Sequence, residues 1–170
     1  MEFETNRNEV EKMKILVLYY SRGGNTRTLA EKIAAGVTAQ GAEAVLKSTD
    51  EVTKEDFLEA AGVIAGSPVY FGVMAAELKK VFDDFVGVRK KMEGKVGAAF
   101  ATSAHHTGGK ETTIMSIIQC MLIYGMIIVG DPMSASGHYG VASLGAPDEG
   151  GAHDAMELGR RVAAVAAKLV

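Results

Sequence analysis

Three short stretches hold most of the side chains that could do chemistry. The first, Ser21-Arg22-Gly23-Gly24-Asn25-Thr26, offers hydroxyls, a carboxamide and the N–H groups around two adjacent glycines, just ahead of a segment with helical spacing. Such a loop can cradle a phosphate with backbone and neutral donors, helped by the dipole of the helix it opens. The same small residues would also make a plain tight turn between a strand and a helix. The second stretch, Pro68-Val69-Tyr70-Phe71-Gly72, sets two adjacent aromatics beside a glycine, suited either to bordering a flat ring or to packing under the next helix. The third, Thr102-Ser103-Ala104-His105-His106-Thr107-Gly108-Gly109, combines flexible backbone with several hydrogen-bonding groups.

Spacing argues against three other chemistries. The first loop lacks both the Walker pattern of Gly, four residues and Gly-Lys-Ser/Thr, and the G-x-G-x-x-G of dinucleotide folds. A compact mononucleotide phosphate fits better. His105 and His106 have no nearby cysteine or third ligand, so no metal is expected there. No G-x-S-x-G elbow follows an apolar run, which argues against a serine hydrolase.

The elements that must position these loops alternate along the chain. Ile15 to Tyr20 reads as a strand covered on both faces, and Thr26 to Gln40 as a helix with Leu29, Ile33, Ala34 and Val37 on one face. Ala44 to Lys47, Ala61 to Gly66, Lys95 to Ala101 and Met126 to Val129 follow as strands. Between them fall a short helix with Thr53 as its N-cap and helices over Ala75 to Val86 and Glu111 to Tyr124; Ala152 to Leu169 closes the chain as a helix. Five apolar strands alternating with helices imply an α/β fold with a doubly wound parallel sheet in the order 2-1-3-4-5 and helices on both faces. Ligands in such sheets sit beyond the carboxyl ends of the strands, where the first, third and fourth strands deliver the three loops. The Gly-rich stretch Gly130 to Gly151 has no periodicity and is expected to overhang the same pocket as a lid or binding loop.

Composition bounds the partners. A net charge of −3 provides no broad basic surface for nucleic acid, and 48% hydrophobic residues in 170 suffice for a substantial single core. The single cysteine, Cys120, lies in the apolar stretch IIQCMLIYGMIIV and is expected to be an inert buried thiol. That run is too short and interrupted to span a bilayer, and the acidic start MEFETNRNEVEK has no apolar signal region. A cytoplasmic protein is expected, with residues 1–12 a flexible extension and residues 13–170 the domain.

YYSRGGNTRTLAEKIA resembles the FMN-phosphate loop of flavodoxins and flavodoxin-like reductases. GSPVYFGVMAAELKKVFDD and GGKETTIMSIIQCMLIYGMIIVG resemble, more narrowly, the WrbA-type NAD(P)H:quinone oxidoreductases. The resemblance implies a flavodoxin-like fold and non-covalent FMN. Its phosphate would sit on Ser21 to Thr26 and its isoalloxazine on Val69, Tyr70 and Phe71 with Pro68 and Gly72 beside them, while Thr102 to Gly109 would wrap the other edge. It further implies NADH or NADPH as electron donor, a quinone as acceptor, a flavin that carries the chemistry without a dedicated acid or base, and a homodimer or homotetramer. The runner-up is a flavodoxin-type carrier of single electrons, or an NAD(P)H-dependent FMN reductase. Gly23 stands where the quinone reductases usually have Tyr, the chain has no Trp, and Tyr124 takes the place of a His that the family carries at the flavin. Tyr124, and Tyr139 in the Gly-rich stretch, are therefore candidates for substrate contact or for the site's surroundings.

Overall fold

In the computed structural model, which describes residues 12–170, strands and helices alternate from the first element to the last. The expected extension over residues 1–12 lies, except for Lys12, outside the described residues. The strands are β1 (Lys14–Tyr19), β2 (Glu43–Ser48), β3 (Ala60–Pro68), β4 (Val96–Ser103), β5 (Ile127–Ile128) and β6 (Val141–Leu144). The helices are α1 (Asn25–Ala39), α2 (Lys54–Glu59), α3 (Ala76–Asp84), α4 (Lys110–Ile123) and α5 (Glu149–Ala166), with a 3-10 segment over Val86–Met92. All strand pairs within the sheet are parallel, in the order 2-1-3-4-5, as the alternation of the sequence requires.

The period of two in β1 divides the interior. Leu16 and Leu18 point into a core with Phe57, Leu78, Phe82, Ile117 and Met121 of α2, α3 and α4. Ile15, Val17 and Tyr19 point the other way, into a core with Leu29, Ile33, Leu158 and Val162 of α1 and α5. These last two helices meet through glycines. A Cβ on Gly36 would lie 2.0 Å from the Met156 carbonyl oxygen, and one on Gly159 would lie 2.1 Å from that of Ile33. Only a missing side chain lets the two backbones approach so closely. Thr53 caps α2 as its position suggests: its side chain accepts the Asp56 N–H at 3.3 Å while Asp56 accepts the Thr53 N–H at 2.8 Å.

The fifth sheet position differs from the sequence expectation. Met126 to Val129 reduces to the two residues of β5, paired with Val96 and Gly97, and β6 emerges from the Gly-rich stretch to pair with Phe100 to Ser103 further along the same edge of β4. Val-Ala-Ser-Leu is too short and too mixed in polarity to announce itself; the free upper edge of β4 recruits it. The residues between β5 and β6 fold down on α5, where Ser134 Oγ donates to Glu157 at 3.2 Å and Ser136 donates both its N–H and its hydroxyl to Asp154. The stretch is therefore a strand, a tethered excursion and the start of α5, rather than one lid.

Candidate functional site

Three strand ends open one cleft of about 200 Å³ at the carboxyl edge of the sheet. After β1 come Ser21, Arg22, Gly23, Asn25 and Thr26; after β3, Pro68, Val69 and Tyr70; after β4, Thr102, Ser103 and Ala104. Gly145, which follows β6, completes the lining. Among the described residues, no Asp, Glu, His or Cys lines it.

The first loop is shaped by its own hydrogen bonds. Ser21 Oγ accepts the Gly24 N–H at 3.1 Å, and Gly24 at φ 94° turns the chain into α1 without a side-chain cap. The first intrahelical bond runs from the Thr28 N–H to the Gly24 carbonyl at 2.9 Å, so the N–H groups of Asn25, Thr26 and Arg27 have no intrahelical acceptor. α4, which opens at Gly109 with φ 92°, likewise has no side-chain cap, whereas α2 and α5 are capped by Thr53 and by Asp148, whose carboxylate accepts the Gly151 N–H at 2.8 Å. Free helical N–H groups beside hydroxyls and Arg22, with no carboxylate in the lining, make an electropositive pocket matched to an anion.

The loops are tied together across the cleft. Thr26 Oγ1 and Thr102 Oγ1 lie 2.8 Å apart, with Thr26 2% and Thr102 4% exposed. The Val69 N–H donates to the Thr102 carbonyl at 2.8 Å, and the Gly145 N–H donates to that of Ser103 at the same distance. Tyr70 and Val73 exchange two backbone hydrogen bonds of 3.1 Å around Phe71 and Gly72, whose φ angles are 52° and 81°. Positive φ at both central residues is the geometry of a type I′ turn, costly for phenylalanine. Phe71 consequently projects fully into solvent instead of packing under α3.

Residues 48–140 match the NADPH-dependent FMN reductase family. The chain belongs to this flavodoxin-like family. A protein of Archaeoglobus fulgidus named NAD(P)H dehydrogenase (quinone) is 36% identical over 92% of this chain and 98% of its own length. One of Aquifex aeolicus named flavodoxin is 37% identical over 88% of this chain and 85% of its own. The crystal structure of a WrbA-like flavodoxin from Agrobacterium tumefaciens superposes with a TM-score of 0.82 at 25% identity, covering 93% of this chain and 99% of that one. The resemblance to the WrbA-type members of the family is thereby borne out.

Within this FMN reductase fold, several expected residues fall away from the cleft. Ser103 Oγ donates to the His105 carbonyl at 2.7 Å, as does the Gly108 N–H at 3.1 Å, which folds the third loop back on itself. His105, His106 and Thr107 are exposed, and His106 lines a separate hollow with Ser143, Leu144 and Asp148. Gly72 and Gly109 do not line the cleft but meet each other; a Cβ on Gly109 would lie 3.1 Å from the Gly72 Cα. Among the described residues, no group of three or more His, Cys, Asp or Glu could hold a metal.

Tyr124, a candidate by resemblance, does not line this cleft. It ends α4, the helix that returns the chain to the amino edge of the sheet, and is buried there with its hydroxyl donating to the Phe82 carbonyl at 2.5 Å and its ring against Phe82 at 5.6 Å. Burial pushes its pKa up to about 12. Tyr139 lies half-exposed beside Lys110 and Ile114, outside the cleft. Cys120 is half-buried rather than buried, its thiol pushed up by desolvation. Of the Gly-rich stretch expected to overhang the pocket, Gly145 is the residue that lines the cleft, at the SLG turn that ends β6.

Proposed function

We propose that this chain is an FMN-dependent oxidoreductase that carries two electrons from NADH or NADPH to a quinone. The observation that carries the reading is the uncapped, carboxylate-free start of α1 opening onto the same cleft as Tyr70. The donor set fits a flavin mononucleotide. Ser21, Asn25, Thr26 and the N–H groups of Asn25 to Arg27 would hold the phosphate, with Arg22 supplying charge. Pro68, Val69 and Tyr70 offer an apolar wall for the ring, and the backbone of Thr102 to Ala104 offers partners for its other side.

Bound flavin supplies hydride acceptance and release of electrons in pairs, so that NAD(P)H, one proton and a quinone become NAD(P)⁺ and a quinol. The residues of this chain bind and orient. Ser21 organises the turn by accepting from Gly24, and the hydrogen bond between Thr102 and Thr26 fixes the Thr26 hydroxyl at the cleft. Among the described residues, no Asp, Glu, His or Cys stands in the lining to serve as a proton donor. The proton of the quinol would therefore come from water in the open cleft.

The names of the relatives support quinone and nicotinamide nucleotide as the small-molecule partners. The reading places the enzyme in the cytoplasm as a homodimer or homotetramer, away from nucleic acid and membranes. No described helix is long and apolar enough to cross a membrane. Phe71 and Val73, exposed at the cleft mouth, would provide apolar surface for assembly. Sedimentation of the FMN-loaded protein checks the assembly. For the reaction, FMN-loaded protein is titrated without oxygen by NADH and then NADPH. Bleaching of the flavin absorbance, reversed on adding a benzoquinone, is expected. Absence of bleaching by both nucleotides, with stepwise dithionite reduction halting at a stable one-electron stage, would make the protein an electron carrier instead.

A further inference from the structure

We propose that Ser67 and Ser116 are positioning residues: they latch the returning end of the turn that carries Tyr70, and so set the wall against which the flavin ring lies. The inference rests on the reading that the cleft takes FMN. Between β3 and α3 the chain leaves the sheet at Pro68, reverses at Phe71 and Gly72, and comes back at Ala75. Its outgoing end is held by the sheet, because the Val69 N–H donates to the Thr102 carbonyl at 2.8 Å. The returning end, Met74 and Ala75, lies outside every strand. Two hydroxyls hold it instead. The Met74 N–H donates to Ser116 Oγ of α4 at 3.0 Å, and the Ala75 N–H donates to Ser67 Oγ at 2.8 Å. Each hydroxyl donates its own proton in turn, Ser116 to the Thr113 carbonyl and Ser67 to the Pro68 carbonyl, both at 2.7 Å. A hydroxyl that accepts on one side and donates on the other is fixed in its rotamer. Ser67 thereby joins the two ends of the loop, and Ser116 pins it to a helix.

The turn needs such latches because it cannot hold itself in place. Phe71 and Gly72 both have positive φ, and the Phe71 ring stands in solvent with no packing to fix it. A conformation of that kind persists only where its surroundings over-determine it. The paired bonds between Tyr70 and Val73 close the turn but leave its angle to the cleft open. The start of α4 supplies the seat. A Cβ on Gly109 would lie 3.1 Å from the Gly72 Cα, and one on Gly72 would lie 3.6 Å from Thr112 Oγ1. Thr112 and Ser116 are one turn apart on the same face of that helix, so the turn rests on Gly109 and Thr112 while Ser116 fastens it. Ser67 is fully buried, and neither serine lines the cleft. Both act through Val69 and Tyr70, which do.

The role is separable from general stability, because threonine at position 116 keeps the hydroxyl while alanine, the better helix former, does not. The test measures the FMN dissociation constant by quenching of flavin fluorescence, together with the visible circular dichroism of bound flavin, which reports how the ring is held. Amide hydrogen exchange at Met74 and Ala75 of the FMN-loaded protein reads the two latches directly. Ser116→Ala should speed exchange at Met74 and Ser67→Ala at Ala75. Each should weaken FMN binding by roughly threefold to tenfold, the factor that one hydrogen bond supplies, and should alter the dichroism. Ser116→Thr should restore all three readouts. Thermal midpoints of the apoproteins show that each variant is folded; since Ser67→Ala touches the core, Ser116→Ala and Ser116→Thr decide the matter if that variant does not fold. The inference is overturned if exchange at Met74 is unchanged in Ser116→Ala, if exchange rises while affinity and dichroism stay as they were, or if Ser116→Thr behaves as Ser116→Ala. Tyr70→Ala separates the two levels of the reading. If it changes affinity and dichroism while the serine variants do not, only the latch is refuted; if it leaves both unchanged, the assignment of the cleft to flavin fails and the latch with it.

Discussion

Replacing Thr102 by valine tests whether the buried Thr26–Thr102 pair binds the loops of the cleft together. Valine has nearly the shape of threonine, so the exchange opens no cavity and leaves β4 its β-branched residue. It does remove the only hydrogen-bond partner of the Thr26 hydroxyl among the described residues, 2.8 Å away, and Thr26 is 2% exposed. An unsatisfied buried hydroxyl costs about 1–3 kcal/mol, and the new apolar methyl recovers a little of it. A net loss of about 1–2 kcal/mol follows. For a chain of 170 residues that lowers the melting point by roughly 2–8 °C. The double variant Thr26→Val/Thr102→Val leaves no orphan and should recover most of the loss, a coupling on the order of 1 kcal/mol. Urea denaturation of the four apoproteins measures all the terms. FMN affinity should nevertheless stay low in the double variant, since the Thr26 hydroxyl is gone. Strict additivity of the two single losses, or an unchanged midpoint for Thr102→Val, would refute the reasoning.

Three further outcomes are expected. Ser21→Asp should abolish FMN retention, judged by flavin absorbance after gel filtration, because the carboxylate can still accept the Gly24 N–H yet places negative charge in the phosphate pocket. Gly159→Ala should destabilise the fold by about 1–3 kcal/mol or more in urea denaturation without touching the cleft, since its Cβ would stand 2.1 Å from the Ile33 carbonyl oxygen and 2.9 Å from the Val37 nitrogen. The raised pKa of Tyr124 means that the folded protein holds its proton longer than the unfolded chain. Its contribution to stability is complete below pH 10.0 and is lost as pH rises from there through about 12; Tyr124→Phe should flatten that part of an alkaline denaturation profile.

The order of the sheet and the placing of three loops at its carboxyl edge were legible in the residues from Lys14 onward. Continuous apolar runs such as Ile15 to Leu18 cannot be exposed, and their alternation with amphipathic segments leaves few topologies once crossovers are right-handed. The same rule places Tyr124, which follows a helix, at the amino edge and outside the cleft of its own chain. Glycine spacing in α1 and α5 could likewise have suggested close helix packing, but nothing local says that Gly36 and Gly159 face one another's helix.

What the sequence determined by itself was the local chemistry and the period: which runs are buried, where a neutral phosphate loop opens a helix, and that Thr53 and Asp56 cap one another. Tertiary structure alone decided which groups meet. Gly145 reaches the cleft because β4 outruns β5 and leaves an edge for Val141 to Leu144 to pair with. Thr26 finds Thr102, and Tyr20 finds Tyr70, because parallel pairing brings the ends of β1, β3 and β4 side by side. Hydrogen bonds and ring contacts act over a few ångströms of space, and the distance along the chain between such partners, 76 residues for the two threonines, carries no signal of them.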